Sequence, residues 1–411
     1  RDIPMKVTLK NSAIILSSLI LAACGSGDSS TSNAEEDEHG HEMMISQQGT
    51  DTLSFLEEGN AEALDHAAAA NGATLLLSNT GEQVAIITAG SVQFVAVHHE
   101  EEEAETSSEE DHELPEVISI TGLDSDVSKV INSNGHFSVL VNGATQLVPY
   151  ASLEEGATPE SEALSLGIAT EDYPALLLEE GETESVVLAF NRTDAVVYEG
   201  NTASSDDKTA CVSVDSAAQS NEFVLVSCDG DSFSVKLEEG ASDHTIEIND
   251  IADISTAVNW ATRAGVFVGY AEADNKFYVV EEAIVADEEV LELESSFAAT
   301  VDSAELCAWG IDSLSADIFA LTADTLTIFD HEGNPDTITL DEAQDCADLR
   351  LTTANNAVFV MDNQAQVLYE IDKEEGAAEY HIHGREDLSV NDVASAIVFH
   401  EVGTESEAHD H

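Results

Sequence analysis

The chain has 411 residues, enough for one large β domain or two ordinary ones, and its 43 % hydrophobic content can fill a sizeable core. Twelve Lys and Arg stand against 83 Asp and Glu, a formal net charge of −71. A field of that sign repels nucleic acid, whose binding needs cations on the protein to neutralise phosphates, and it attracts cations from solution. The acidity itself reads as adaptation to a salty medium, where dissolved ions screen the self-repulsion.

In chain order, Arg1 to Pro4 read as lying ahead of a start at Met5. Lys6 and Lys10 form a positive region, and Ile14 to Leu21 a short apolar one, too short to span a membrane. Leu21, Ala22, Ala23 and Cys24 follow, then Gly25. This order resembles the bacterial lipobox. The resemblance implies a signal peptide over 1–24, cleavage before Cys24 and lipid on its sulfur. Gly25 stands where an Asp would imply inner-membrane retention, so the expected anchor is in the outer membrane, facing the periplasm or the cell surface. Residues 25–60 are polar, acidic and patternless, which predicts a flexible tether. The tail 403–411 reads the same way, and the Ala-rich stretch 60–70 predicts a short helix.

Between them the apolar runs repeat in pairs: 84–87 with 92–97, 137–141 with 146–148, 186–190 with 195–198, and 223–226 with 232–237. Three further pairs are 266–270 with 277–280, 318–321 with 325–329, and 358–361 with 367–371. Asn, Asp and Gly at 191–194, 228–231, 273–275 and 361–363 supply the positive φ that tight hairpin turns need. The seven starts are 53, 49, 37, 43, 52 and 40 residues apart, near the ~40–50 of a propeller blade. The expectation is an all-β chain, a β-propeller over 61–402 with seven blades of about four antiparallel strands. Six or eight blades, or a pair of β-sandwiches, are the alternatives.

Four cysteines remain after Cys24, and none forms a CxxC zinc knot. An exported chain is oxidised, so disulfides are the default. Cys211, Cys307 and Cys346 lie 12, 11 and 12 residues before the starts at 223, 318 and 358, and Cys228 ends a strand. That register favours Cys211–Cys228 within one blade and Cys307–Cys346 between neighbouring blades.

The 14 histidines cluster. His39 and His41 lie in the tether, and His98, His99 and His112 in one long acidic loop. His381 and His383 alternate on a strand pattern, and His409 and His411 end the chain. Imidazole with carboxylate is a borderline ligand set that suits zinc, and such pairs in acidic loops fit weak, exchangeable capture. For His381 and His383 a pair of solvated strand residues is the competing reading. No GxSxG, HExxH, P-loop or GxGxxG signature is present, and no acid pair stands out among 83 acids, so a non-enzymatic protein is expected.

The segment from Cys211 to Asp231, with Ala218, Gln219 and Ser220 at its centre and the Cys228-Asp229-Gly230 turn at its end, resembles the paired-cysteine segment of exported zinc-binding proteins of the AztD type. The His98–His112 loop falls where that family carries a flexible His/Asp loop, and a weaker likeness runs from about Leu75 to Phe399. The family's histidine before Ala-Gln-Ser has no counterpart in 213–216, nor has its His-His-Gly turn near 163–169. The resemblance implies a β-propeller that hands zinc to the solute-binding protein of a zinc import ABC transporter, with His98, His99 and His112 as candidate ligands. The expected function is thus a lipid-anchored zinc carrier; the alternative is a metal-independent propeller that binds envelope proteins.

Overall fold

A computed structural model describes residues 42–399, apart from 58–59, 65–69, 97–115, 155, 167–172, 180–184, 221–222, 239–244, 264, 286–287, 301–303, 313, 341–344, 355 and 374–378. The described residues form eight four-stranded antiparallel sheets and one short 3-10 helix, Tyr150–Leu153. Seven sheets take four consecutive strands each. Their second strands begin at Gln83, His136, Val186, Phe223, Val266, Ile318 and Ala357, each within one residue of the seven apolar starts of the repeat. The eighth combines Glu42–Gln47, Leu53–Glu57 and Asn60–Leu64 with the last strand, Val393–Phe399, which pairs along Glu42–Gln47. We number this sheet blade 1 and the others blades 2–8 in chain order.

The expectation of a β-propeller holds, and three details of it are corrected. There are eight blades, not seven. Residues 42–57, assigned to the tether, form two strands of blade 1, so the propeller starts ahead of 61. The start of the stretch expected to be helical is the strand Asn60–Leu64. The signal segment 1–24, the rest of the tether and the tail 403–411 lie outside the described residues. No helix among the described residues is long and apolar enough to cross a membrane.

Both faces of each blade are covered, which explains the continuous apolar runs. In blade 8, Phe359 and Met361 face blade 1, packing with Met43, Ile45 and Val398. Their neighbours Val358 and Val360 face blade 7, packing with Phe319 and Leu321. All five residues from Ala357 to Met361 are buried, so the period-2 signal of a one-sided strand is absent. Full burial of each such side chain contributes roughly 1.5–3 kcal/mol.

Innermost strands are joined to their neighbours by side chains that reach the next backbone. Ser133 Oγ receives the Leu177 N–H at 2.6 Å, and Ser216 Oγ donates to the Val258 carbonyl (2.6 Å) and accepts the Trp260 N–H (2.8 Å). Thr352 Oγ1 donates to the Ala396 carbonyl at 3.3 Å, and Ser395 Oγ accepts the Leu75 N–H at 3.1 Å. Except for the ring-closing Ser395 bond, the partners are 42 to 44 residues apart, one blade repeat. These hydroxyls satisfy inner-strand backbone groups that would otherwise be buried without partners.

Both expected disulfides form, Cys211–Cys228 with Cα atoms 5.6 Å apart and Cys307–Cys346 with Cα atoms 4.8 Å apart. Cys211 is not on a strand of its partner's blade, as its register implied. It sits in the link between blades 4 and 5, where its N–H donates to the Thr193 carbonyl. The turn that follows Cys228 has positive φ at Asp229 (55°) and Gly230 (87°), the hairpin geometry foreseen for that tetrapeptide. The bridges close loops of 17 and 39 residues. Replacing both cysteines of a pair by alanine is therefore expected to lower the unfolding free energy by about 3 kcal/mol for the shorter loop and about 4 kcal/mol for the longer. Guanidinium unfolding curves of the two double variants would measure it.

Candidate metal centre

Blade 8 ends in the hairpin strands Val367–Asp372 and His381–Asp387, which flank the loop 373–380. Asp372 pairs directly with His381, and Ile371 with Ile382. The register then shifts, so that the next partner of the chain is Glu370 with Gly384. Such a bulge sets two residues, His383 and Gly384, against one, and it re-aims side chains. Directly paired residues share a face, so His381, Asp372, His383 and Glu370 are gathered at one end of the hairpin.

The resulting contacts are close. His383 Nδ1 lies 3.0 Å from Asp372 Oδ2, and His381 Nε2 lies 3.5 Å from Asp372 Oδ1. The two imidazole centroids are 6.3 Å apart. One ligand atom from each of Asp372, His381 and His383 can be chosen such that all lie within 4.8 Å of one another. A tetrahedral zinc with bonds of about 2.0–2.1 Å needs ligand atoms roughly 3.3 Å apart, so the set requires only a small contraction. Asp372 Oδ1 is enclosed and accepts no hydrogen bond, so the carboxylate retains an unused lone-pair direction. The side chains of His381 and His383 are 43 % and 50 % exposed, which leaves the group open to an incoming ion or protein.

Glu370 lies behind the imidazoles. Gly384 makes room for it: a Cβ there would stand 3.3 Å from Glu370 Oε2. Burial pushes the Glu370 carboxyl up to about 7; the His383 ring pulls it down, and Asp372 and Glu386 push it up further. Neighbouring cations are held elsewhere. Arg385 stacks over Tyr369 at 5.8 Å, and Lys373 pairs with Asp317 at 3.7 Å and covers Tyr380. The face is thus acidic and imidazole-bearing.

Of the nine histidines singled out from the sequence, His381 and His383 are the two that the described residues bring together. His39, His41, His98, His99, His112, His409 and His411 lie outside the described residues, as does Cys24. Asp372 and Glu370 were not foreseen. The signal was available: strand patterns at 367–371 and 381–383 around one loop make a hairpin, and its register sets an acid opposite His381.

With the geometry in hand, the fold can be compared. No family model and no curated protein matches the sequence. Among solved structures, apo AztD from Citrobacter koseri superposes with a TM-score of 0.62 at 14 % identity, over 87 % of this chain and 97 % of that one. A second Citrobacter koseri AztD structure gives 0.62 at 13 % identity, over 89 % and 99 %. A Bacteroides fragilis propeller provisionally named a 6-phosphogluconolactonase gives 0.50 at 11 % identity, over 90 % and 100 %. The chain has the AztD-type propeller fold. At these identities the likeness speaks for the fold and not for any ligand.

The carboxyl of Glu370 carries a test of this local electrostatics. Its folded value is raised from 4.5 to about 7, so the folded state holds more protons than the unfolded state between those values. Stability therefore falls as pH rises through that window, because the folded protein must ionise a group it disfavours. Glu370→Gln is expected to remove that fall and to be more stable than wild type above pH 7, by on the order of 1 kcal/mol once solvent screening is allowed for. Denaturant midpoints of both proteins at pH 5 and pH 8 would measure it.

Proposed function

We propose that this chain is an envelope metal carrier that takes zinc as cargo at Asp372, His381 and His383 and passes it to a protein partner. The observation that carries the reading is the convergence of these three ligand atoms within 4.8 Å at the end of an outer hairpin. The resemblance to AztD-type zinc-binding proteins and the AztD-type fold support it.

The chemistry favours transfer over storage. Structural zinc sites close four protein ligands around the ion, whereas three ligands leave a position for an incoming group. A recipient can then add its own ligand before this chain releases one. The acidic surface draws cations toward the hairpin over short range. In this reading the His98, His99 and His112 loop, with His39, His41, His409 and His411, acts as a set of weaker capture arms. The lipid on Cys24 keeps the carrier at the outer membrane, and the recipient is the solute-binding protein of a zinc ABC transporter. No step asks for bond-making in a substrate, so the protein is not an enzyme in this reading.

Zinc calorimetry on residues 25–411 at pH 7.5 and ~0.15 M salt tests it, because that salt screens diffuse attraction to the surface charge. Wild type is expected to show a submicromolar site. The variant H381A/H383A is expected to lose about 100-fold in affinity, the scale of removing two imidazole contacts at about 1.4 kcal/mol per factor of ten. A variant lacking His98, His99 and His112 is expected to keep that site and lose weaker ones. Affinity should fall as pH drops below about 6, since imidazoles ligate only when neutral. Wild-type affinity in H381A/H383A, or only weak salt-sensitive binding in all three proteins, would refute the assignment.

A further inference from the structure

The innermost strands of blades 2, 3, 5, 6 and 7 line a partly open cavity of about 310 Å³ at the propeller axis. Its wall contradicts the rest of the chain in charge. Lys129, from the first strand of blade 3, and Arg263, from the first strand of blade 6, both line it. They are two of only 12 Lys and Arg against 83 acids. The one carboxylate in the wall, Asp215, is engaged: its Oδ2 accepts from Ser227 Oγ at 3.2 Å and from the Gly230 N–H at 3.3 Å.

Neither cation has an anionic partner among the described residues. The Lys129 ammonium sits 3.8 Å above the centroid of the Tyr173 ring. Arg263 is half-buried, with no hydrogen-bond acceptor and no ion pair among the described residues, and desolvation pushes its guanidinium below the ordinary value. Burial likewise pushes Lys129 down to about 8, still protonated for the most part at neutral pH. Two more donors in the wall are unused: the indole Nε1–H groups of Trp260 and Trp309 are buried without acceptors. A half-buried guanidinium without an acceptor of its own bears part of the desolvation cost, and a paired charge or a ligand offsets it. What the wall lacks is acceptors, and what it supplies is donors, two of them charged, beside apolar and aromatic surface.

We propose that the axial cavity is a binding site for a small organic carboxylate, whose anionic end is gripped by Arg263 and Lys129 and whose apolar body lies against Trp260, Trp309 and Tyr173. Guanidinium and carboxylate match in a two-bond fork, and such charge-assisted bonds are the stronger class. A cavity of this size sits at the lower end of the range for small-molecule sites. The surface acids do not forbid the ligand. At ~0.15 M salt their field decays over about 8 Å, so an anion within the ring responds chiefly to the two cations beside it. The site is separate from the proposed metal centre in blade 8.

The chain's only two tryptophans both line the cavity, so tryptophan fluorescence reports on this site alone. Benzoate titrated into the full chain at pH 7.5 is expected to change that fluorescence saturably. Benzamide, its neutral isostere, is expected to do so only at far higher concentration. R263Q and K129M should each weaken benzoate about tenfold, the effect of one charge-assisted hydrogen bond. R263K keeps the charge and loses the fork; it should weaken benzoate about threefold and serves if R263Q does not fold. H381A/H383A should bind benzoate as wild type does. Benzoate and benzamide acting alike, no response to benzoate, or wild-type benzoate affinity in R263Q or R263K would overturn the proposal.

Discussion

Everything in this molecule depends on the closing of the ring. The strand Val393–Phe399 enters blade 1 along Glu42–Gln47, so the two ends of the fold are held in one hydrogen-bonded sheet. The same strand packs Ala396 and Val398 into the layer shared with blade 8, and Ile397 into the layer shared with blade 2. A propeller blade has two apolar faces and cannot cover either one alone; a closed ring covers all of them at once. That requirement explains why blade after blade carries a fully buried second strand, such as Val186–Phe190, Phe223–Cys228 and Ala357–Asp362. It also explains the inner hydroxyls. Where inner strands of neighbouring blades meet, Ser133, Ser216, Thr352 and Ser395 serve as hydrogen-bond partners of the next blade's backbone.

Rigidity at the centre leaves the rim free to vary. The outer strands need only pair with a neighbour on one edge, and they face solvent. His381–Asp387 alternates between half-buried and exposed positions, in contrast to the unbroken burial of Ala357–Asp362 in the same blade. Exposed polar residues there cost the fold little, which is why a bulge and an imidazole pair can sit at that hairpin without disturbing the ring. The axial cavity is the opposite case. Its two cations are bounded by inner strands of several blades, so any group placed there is fixed by the closure of the whole ring.

The degree to which the sequence was legible follows from the same physics. Seven strand pairs stood out because two-sided burial concentrates Val, Ile, Leu and Phe into short runs, such as 186–190 and 358–361. Gly230 and the Asn and Asp residues marked the turns, and the spacing of Cys211, Cys228, Cys307 and Cys346 against the repeat carried their pairing. The eighth pair was hidden. Its apolar run is only Met43–Met44–Ile45, set among acids and serines, and its innermost strand comes from the other end of the chain. Asn60–Leu64 looked helical because Ala and Leu favour helices in isolation; pairing with Leu53–Glu57 overrode that propensity. Asp372 was hidden for another reason. Among 83 acids no single one stands out, and only the register of the hairpin distinguishes it.

Charge ties these parts together. A chain at −71 must keep its acids hydrated or paired, and its few cations are correspondingly informative. Lys236 is buried and holds Glu289 at 3.0 Å, a conventional solution. Lys373 pairs with Asp317 and covers the ring of Tyr380, and Arg385 stacks over Tyr369. In the proposed reading, an ion bound at the His381 face would relieve the crowding of Asp372, Glu370 and Glu386. At the axis the imbalance is reversed, with donors that lack acceptors. The hairpin and the axial cavity thus differ in sign and in access. In the two proposals the exposed hairpin is suited to an exchangeable cation, and the recessed cavity to an anion.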